Sequence, residues 1–459
     1  MTPVEASARR GAHPAALATT VLLVVALVNL ALVEIMFFTA ETTTPSKNGL
    51  VAVGKFLGLH LALVMIFQLI LIARIPWLER RIGMDRLTNW HRWTGFALFW
   101  LVLAHPTFVV LGFSRFDKLP VTKEITNLVG IFQTLVGIIA ASIVVVVVGF
   151  SLRAVRKRLP YELWHAIHLL LYAAITLALI HQAYEGTAFK TSPLTTAYWW
   201  TLWTVALLAL FTGRLFVPLW RNARHQLRVS DVRPESGHAV SVTITGKDLH
   251  RLRARAGQFF IWRFPGHHGW WRANPFSLSA APDGRALRLT AKAVGTTSAG
   301  LRRVPVGTRV YAEGPYGAFT AANRSAAHSL LIAGGIGVTP VRALLEELPG
   351  DVVVLYRSPT AADAVLLDEI RELAAAKGAT LHLLTGRSGP GNNPLDPEQL
   401  RTRVPDIAQR DVYVCGPPAM TEAVVANLRR LGLPRRQIHA ERFGLAGGPL
   451  RQPSPTLPT

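Results

Sequence analysis

Four histidines set inside apolar sequence are the residues with the most specific chemistry in this chain. His91 and His105 lie in WHRWTGFALFWLVLAHP (Trp90 to Pro106), fourteen positions apart, and His168 and His181 lie in YELWHAIHLLLYAAITLALIHQ (Tyr161 to Gln182), thirteen apart. At 1.5 Å per residue such spacings cover roughly 20 Å, about two thirds of a ~30 Å hydrocarbon core. A helix made from either segment therefore carries one imidazole toward each membrane face. Ionisable groups at that depth are costly and mark function. Two such helices suit two stacked hemes, with His91 and His168 on one iron and His105 and His181 on the other. Taken singly, each histidine more often caps a helix or bonds a carbonyl; four at matched depths point the other way. Fourteen residues return to within about 40° of the starting face, whereas thirteen miss it by about 140°. The second helix thus needs an irregularity, or hemes approached from different sides. His165, one turn before His168, is the alternative inner ligand.

The elements that must position these residues follow from the apolar runs. Six runs are long enough to span: about Ala15–Phe38, Leu50–Ile72, Trp90–Leu111, Leu128–Phe150, Leu163–His181 and Tyr198–Leu219. The first resembles a signal peptide in position, but it is long and lacks a clean small-residue cleavage pattern, so it reads as a span. Arg74, Arg80, Arg81, Arg86 and Arg92 fill the second connector, Arg153, Arg156, Lys157 and Arg158 the fourth, and Arg214, Arg221 and Arg224 the exit. The other connectors carry fewer basic residues and include Glu41, Asp117, Glu124 and Glu185. The positive-inside rule then places both termini in the cytoplasm, in a multi-pass protein of the cell (plasma) membrane. Spans three and five run the same way, so His91 shares a depth with His168 and His105 with His181. Glu34 in the first span and His60 in the second are polar residues within apolar runs and read as packed or interfacial.

Much of the formal net charge of +22 sits in short connectors between apolar runs, which argues membrane topology rather than a nucleic-acid partner. One cysteine excludes a disulfide framework and a cysteine-ligated iron–sulfur cluster within the chain, leaving heme or organic electron carriers. After about Trp220 the pattern changes. LRVSDV, HAVSVTITG, GQFFIWRF, ALRLTAKAV and TRVYAEG predict short strands of a small antiparallel barrel. Among them NPFSLSAAP (Asn274 to Pro282), KAVGTTSAGL (Lys292 to Leu301) and EGPYGAF (Glu313 to Phe319) offer hydroxyls and glycine amides, which alone are turns and together suit a flavin. From Ser329 strands and helices alternate. SLLIAGGIGVTPVRALLEEL turns on Gly334, Gly335 and Gly337, where amides at a helix start meet a phosphate. DVVVLYRS, TLHLLTG and DVYVCGPPAM add strands whose carboxyl ends form a nucleotide-binding edge. Cys415 ends one of them, as a packed residue or against a nicotinamide.

The fold class is therefore multidomain: a six-helix all-α membrane bundle, an antiparallel β-barrel FAD domain and an α/β parallel-sheet nucleotide-binding domain. The boundaries read as a cytoplasmic segment 1–14, a heme-binding transmembrane domain 15–220, a FAD domain 226–323, an NAD(P)H domain 328–443, and a proline-rich disordered tail 444–459.

This order resembles the NADPH oxidase and ferric reductase superfamily over about residues 16 to 443, and the soluble part is similar to the ferredoxin–NADP reductase fold. The resemblance implies flavin contacts from Pro275, Phe276, Ser277 and Ser279, with Asn274 standing where an arginine or histidine is usual. It implies a phosphate turn at Gly295, Thr296 and Ser298, a nucleotide turn at Gly334, Gly335, Gly337, Thr339 and Pro340, and a nicotinamide side at Cys415, Gly416 and Pro417. It also implies a terminal aromatic, Phe443, on the flavin, which gives Ser277, Cys415 and Phe443 as the residues nearest the chemistry. Arg357 and Arg387 would meet a ribose phosphate, or lie solvated in loops. The implied activity takes electrons from NAD(P)H through FAD and two b-type hemes to ferric chelate, or alternatively to dioxygen as superoxide. A non-catalytic membrane heme protein and a heme-free flavin reductase acting on quinone are the readings from other classes.

Overall fold

A computed structural model describes residues 3–186, 192–236, 238–266, 274–293, 298, 300–386 and 393–442. Six of its helices are long and apolar enough to cross a membrane: Leu17–Thr43, Gly49–Ile72, Arg86–Phe116, Phe132–Ser151, Glu162–Glu185 and Pro193–His225. They fall in helices α1 (Pro3–Thr43), α2 (Gly49–Ile72), α4 (Met84–Phe116), α6 (Phe132–Ser151) and α8 (Tyr161–Glu185), and in α9 (Pro193–Phe211) with its continuation through a π-turn into α10 (Val217–His225). Between them lie the short helices α3 (Pro76–Ile82), α5 (Val121–Val129) and α7 (Arg153–Arg156).

Local chemistry starts these helices where the sequence changes character. Asn48 caps α2 by accepting from the Val51 amide at 3.0 Å, and Ser192 with Thr195 forms a capping box before Pro193 of α9. One compact unit comprises residues 20–75 and 85–214. Its centre joins Val33 of α1 with Ala62, Met65, Ile66 and Leu69 of α2 and Trp199, Trp203 and Ala206 of α9. Glycine brings α2 and α4 together: a Cβ on Gly54 would sit 2.8 Å from the Val109 side chain, and one on Gly112 would sit 2.7 Å from the Val51 amide. Large apolar side chains such as Trp100 and Phe132 stand exposed on the outside, as lipid contact requires.

The other compact unit contains residues 1–19, 76–84 and 215–444. Within it α10 is tied to a strand by Asn222, whose Nδ2 donates to Ala312 O at 2.9 Å and whose Oδ1 accepts from the Ala312 amide at 2.8 Å. The strands form two antiparallel three-stranded sheets. One has β1 (Arg228–Glu235), β2 (Ala239–Thr245) and β5 (Ala286–Lys292) in that order; the other has β3 (Phe259–Arg263) between β4 (Asn274–Ser277) and β6 (Tyr311–Tyr316). They share a core of Val240, Val242, Ile244, Phe260, Trp262, Leu278 and Leu289. Their edges are joined by the single bridges Arg228↔Arg309 and Leu278↔Leu289 and by backbone bonds such as Val310 N to Leu227 O at 2.9 Å and Ser279 N to Arg288 O at 2.8 Å, without one continuous closed sheet among the described residues.

The last third is a five-stranded parallel sheet ordered β11 (Ile438–Arg442), β10 (Arg410–Gly416), β7 (His328–Gly334), β8 (Val352–Arg357), β9 (Thr380–Leu384). Its strands are apolar on both faces because helices cover both. Val338–Glu347 and Leu367–Lys377 pack on one side, and Pro397–Arg403 and Pro418–Arg430 on the other. Ion pairs fasten this sheet to the antiparallel ones. Arg288 reaches Glu369 with two bonds of 2.9 and 2.8 Å, and Arg342 Nε reaches the same carboxylate at 2.8 Å. Burial acts to raise the Glu369 carboxyl, and hydrogen bonds and charge from Arg288 and Arg342 more than offset it, leaving the group below its ordinary value.

Candidate functional site

The four histidines meet in two facing pairs. The ring centres of His91 and His168 are 6.3 Å apart, and those of His105 and His181 are 6.5 Å apart. A metal bonded to two imidazoles at ~2 Å each would hold their centres at ~6 Å, so both gaps fit an iron between the rings. In the outer pair His105 Nδ1 donates to Gly54 O at 2.8 Å and His181 Nδ1 to Gln133 O at 2.9 Å. A carbonyl only accepts, so each Nδ1 carries its proton and each Nε2 is left as the ligating nitrogen. In the inner pair the Nδ1 atoms of His91 and His168 are buried without a hydrogen-bond partner among the described residues. His168 stacks on Trp164 with ring centres 5.1 Å apart. His165 is exposed, and its ring lies 6.4 Å from that of Trp164.

Helix α8 is regular from Tyr161 to Glu185, so no irregularity brings its two rings to their partners. Their angular offset has to be taken up by side-chain direction and by the crossing of α4 and α8. Midway between the pairs, Leu98 and Val102 of α4 meet Leu171 and Ala174 of α8 in an apolar cluster with Val144 of α6. Glycines flank the outer pair: a Cβ on Gly58 would lie 2.8 Å from the His105 ring, and one on Gly137 would lie 2.8 Å from the His181 ring. Sequence reasoning missed both. Gly54 and Gly58 form a G-x-x-x-G spacing inside an apolar run, a signal of close helix approach that would have exposed Gly58.

On the antiparallel sheets, Ser277 is buried and its Oγ has no hydrogen-bond partner among the described residues, a hydroxyl available to a ligand at the β4 edge. Pro275 and Phe276 lie on the same edge strand. Ser279 is placed differently: its Oγ accepts from Thr290 Oγ1 at 2.7 Å and from Arg288 Nε at 3.2 Å, inside the protein. Ser298 is described and partly buried; Gly295, Thr296, Arg387 and Phe443 lie outside the described residues.

At the carboxyl ends of β7 and β10 the glycines serve the backbone first. A Cβ on Gly337 would meet Cys415 O at 2.3 Å, and one on Gly334 would meet the Met420 sulfur at 2.5 Å. Gly335 adopts φ +52° in open space, a conformation that L side chains resist. Gly416 faces Gly334 across the sheet, and Pro417 caps the helix Pro418–Arg430. The turn leads into the helix Val338–Glu347, where Thr339 Oγ1 donates to Ile336 O at 3.1 Å and Pro340 is buried. These β7 and β10 ends meet where the strand order reverses, the crevice in which open α/β sheets take ligands. Cys415 has no exposed surface, and burial pushes its thiol well above the ordinary range. A chemical role expected of that thiol does not fit its position in the core; its carbonyl, which excludes a side chain at residue 337, is what it contributes. Arg357 is nearly buried, with Nη1 donating to Leu384 O at 3.0 Å, and burial lowers its guanidinium from its ordinary value.

Two families match the chain: one described as a ferric reductase like transmembrane component over residues 57–179, and one described as an oxidoreductase NAD-binding domain over residues 331–426. Side by side the two matches fit the fused ferric reductase and NADPH oxidase type of architecture, a membrane component joined to an FAD- and nicotinamide-type oxidoreductase domain. Among curated relatives, the chain is 28% identical over 233 residues to the reductase component of propane 2-monooxygenase from Gordonia sp. (strain TY-5), covering 47% of this chain and 66% of that protein. It is 29% identical to the ferredoxin reductase component of 3-ketosteroid-9-alpha-monooxygenase from Mycobacterium tuberculosis, covering 48% of this chain and 65% of that one. The chain thus spans about two thirds of the length of these relatives. The flavohem-like FAD/NAD-binding domain of nitric oxide dioxygenase from Vibrio cholerae aligns at TM-score 0.40 and 24% identity, covering 48% of this chain and 99% of that one.

Proposed function

We propose that this chain carries electrons from cytoplasmic NAD(P)H, by way of bound FAD and two b-type hemes, to a one-electron acceptor beyond the plasma membrane, foremost a ferric chelate. The observation that carries this reading is the pair of facing imidazole sets, 6.3 and 6.5 Å between ring centres, on helices whose ends are marked by opposite charge bias. When bound, FAD takes a hydride and releases electrons singly, and hemes pass single electrons through lipid. The chain supplies placement. His91 and His168 hold the inner heme; His105 and His181 hold the outer one, with Gly54 and Gln133 carbonyls fixing the orientation of the latter rings. Leu98, Val102, Leu171 and Ala174 keep water out of the space between the two sites. Ser277, Pro275 and Phe276 line the flavin edge. Gly334, Gly335, Gly337 and Thr339 form the turn for the nucleotide phosphates, with Gly416 and Pro417 on the nicotinamide side and Arg357 beside the ribose.

The first test is optical. Purified protein reduced with dithionite should show bis-imidazole heme bands at two hemes per chain, and protein that is yellow without porphyrin would end this reading. His105→Leu should lower heme content to one and abolish far-side reduction while NAD(P)H-to-dye activity continues. In sealed vesicles given NAD(P)H, far-side ferrous iron supports a ferric acceptor, whereas superoxide in its place assigns dioxygen.

A further inference from the structure

The membrane unit holds a second set of ionisable groups that heme ligation does not use. His60 Nε2 of α2 lies 3.1 Å from Glu34 Oε1 of α1, and His60 Nδ1 lies 2.8 Å from Phe56 O. The carbonyl can only accept, so Nδ1 carries a hydrogen. Nε2 and a carboxylate oxygen at hydrogen-bond distance would otherwise oppose lone pair to lone pair, so one proton lies between them, on the imidazole or on the carboxyl. Seven residues along α1, Glu41 occupies the same face to within about 20° and roughly 10 Å nearer the helix end. Glu41 accepts from the Ser46 amide at 2.9 Å and from Ser46 Oγ at 2.5 Å, and lies 3.8 Å from Lys55 Nζ of α2. Two carboxylate–base steps therefore descend from the end of the span toward its middle.

The lower step shares helix α2 with the residues that flank the outer imidazole pair. Gly54 of α2 accepts from His105, and Gly58 lies against its ring. His60 follows two residues later and, at 100° per residue, leaves α2 on the far side from His105, so about one helix diameter, ~10 Å, separates the groups. Other titratable groups described nearby are Tyr198 of α9, which donates to Asn29 of α1 at 2.9 Å, and His105 itself.

We propose that Glu34 and His60 form a proton-uptake site for the outer redox centre, supplied from far-side water through Glu41 and Lys55. This rests on the electron-transfer reading above. The balance is one electron and one proton: as the outer centre gains an electron from NAD(P)H, Glu34 gains a proton from outside, and the charge of the buried region is unchanged. A unit charge at ~10 Å in a medium of effective dielectric ~20 alters proton affinity by roughly tenfold. By linkage, protonation alters the reduced-to-oxidised ratio of the outer centre by the same factor.

The test is an optical redox titration of full-length holoprotein in nanodiscs between pH 5.5 and 8.5. One of the two heme components should change its reduced-to-oxidised ratio roughly tenfold across the range at fixed potential, and Glu34→Gln should remove that dependence without moving the other component. Reduced-minus-oxidised infrared spectra should gain a protonated-carboxyl band in wild type and lose it in Glu34→Gln. His60→Gln should remove the same pH dependence, and it replaces Glu34→Gln in the titration should that variant fail to accumulate. Two pH-independent components in wild type, or a dependence that survives in these variants, overturns the proton site and leaves the heme assignment standing. Wild type without heme overturns both.

Discussion

Gly58→Ala and Gly137→Ala probe the outer imidazole pair without touching a ligand. The added methyl on residue 58 would meet the His105 ring at 2.8 and 2.9 Å, and that on residue 137 would meet the His181 ring at 2.8, 2.8 and 3.0 Å. Ordinary carbon contacts are about 3.5–4.0 Å, so each ring has to retreat by roughly 0.7–1 Å. Neither ring can do so and keep its bond to Gly54 O or Gln133 O, at 2.8 and 2.9 Å. Overpacking of this kind costs about 1–3 kcal/mol, and loss of an outer-shell bond to a metal-bound imidazole costs roughly 10–100-fold in affinity. Each variant should therefore retain the inner heme and lose most of the outer one, read as heme per polypeptide falling from two toward one. Gly149→Ala, with nothing within 4 Å of the added carbon, is the matched control and should keep both. A folded Gly58→Ala protein with full heme content and an unchanged outer component would refute the reasoning.

Gly337→Ala places a carbon 2.3 Å from Cys415 O, backbone that cannot step aside, and should cost about 1–3 kcal/mol and most NAD(P)H-to-dye activity. Gly335→Ala, in open space at φ +52°, should cost only the left-handed penalty of about 1–2 kcal/mol. Asp411 is fully buried and accepts from Ser325 N at 2.6 Å, Ser325 Oγ at 2.9 Å and His439 at 3.0 Å, so Asp411→Asn should lower thermal stability by about 1–3 kcal/mol in a melting experiment. The Glu369 carboxyl is held below its ordinary 4.5 when folded, so its contribution is complete above pH 4.5 and is lost as pH falls through the lowered value. Acid unfolding should begin in that window, and Glu369→Gln should flatten it.

Much of this architecture was legible without coordinates, because the physics behind it is local or one-dimensional. Runs of about twenty apolar residues announce spans wherever they fold. The depth pairing of His91 with His168 and His105 with His181 needed only helix rise, and the glycine-rich strand-to-helix turn at Gly334 needed only the link between residue type and backbone freedom. What the sequence did not contain was contact between distant segments. The 140° offset on α8 argued against a simple pairing, yet rings 6.3 and 6.5 Å apart form from an unbroken helix, since side-chain direction and helix crossing are set by neighbours such as Gln133 and Trp164. Cys415, at the end of a strand in sequence, turned out to be in the core, and Glu34 and His60, read separately as bland, face each other. Local propensity is written residue by residue, whereas which carbonyl meets an imidazole, and which thiol is denied water, are properties of segments more than twenty residues apart that only packing brings together.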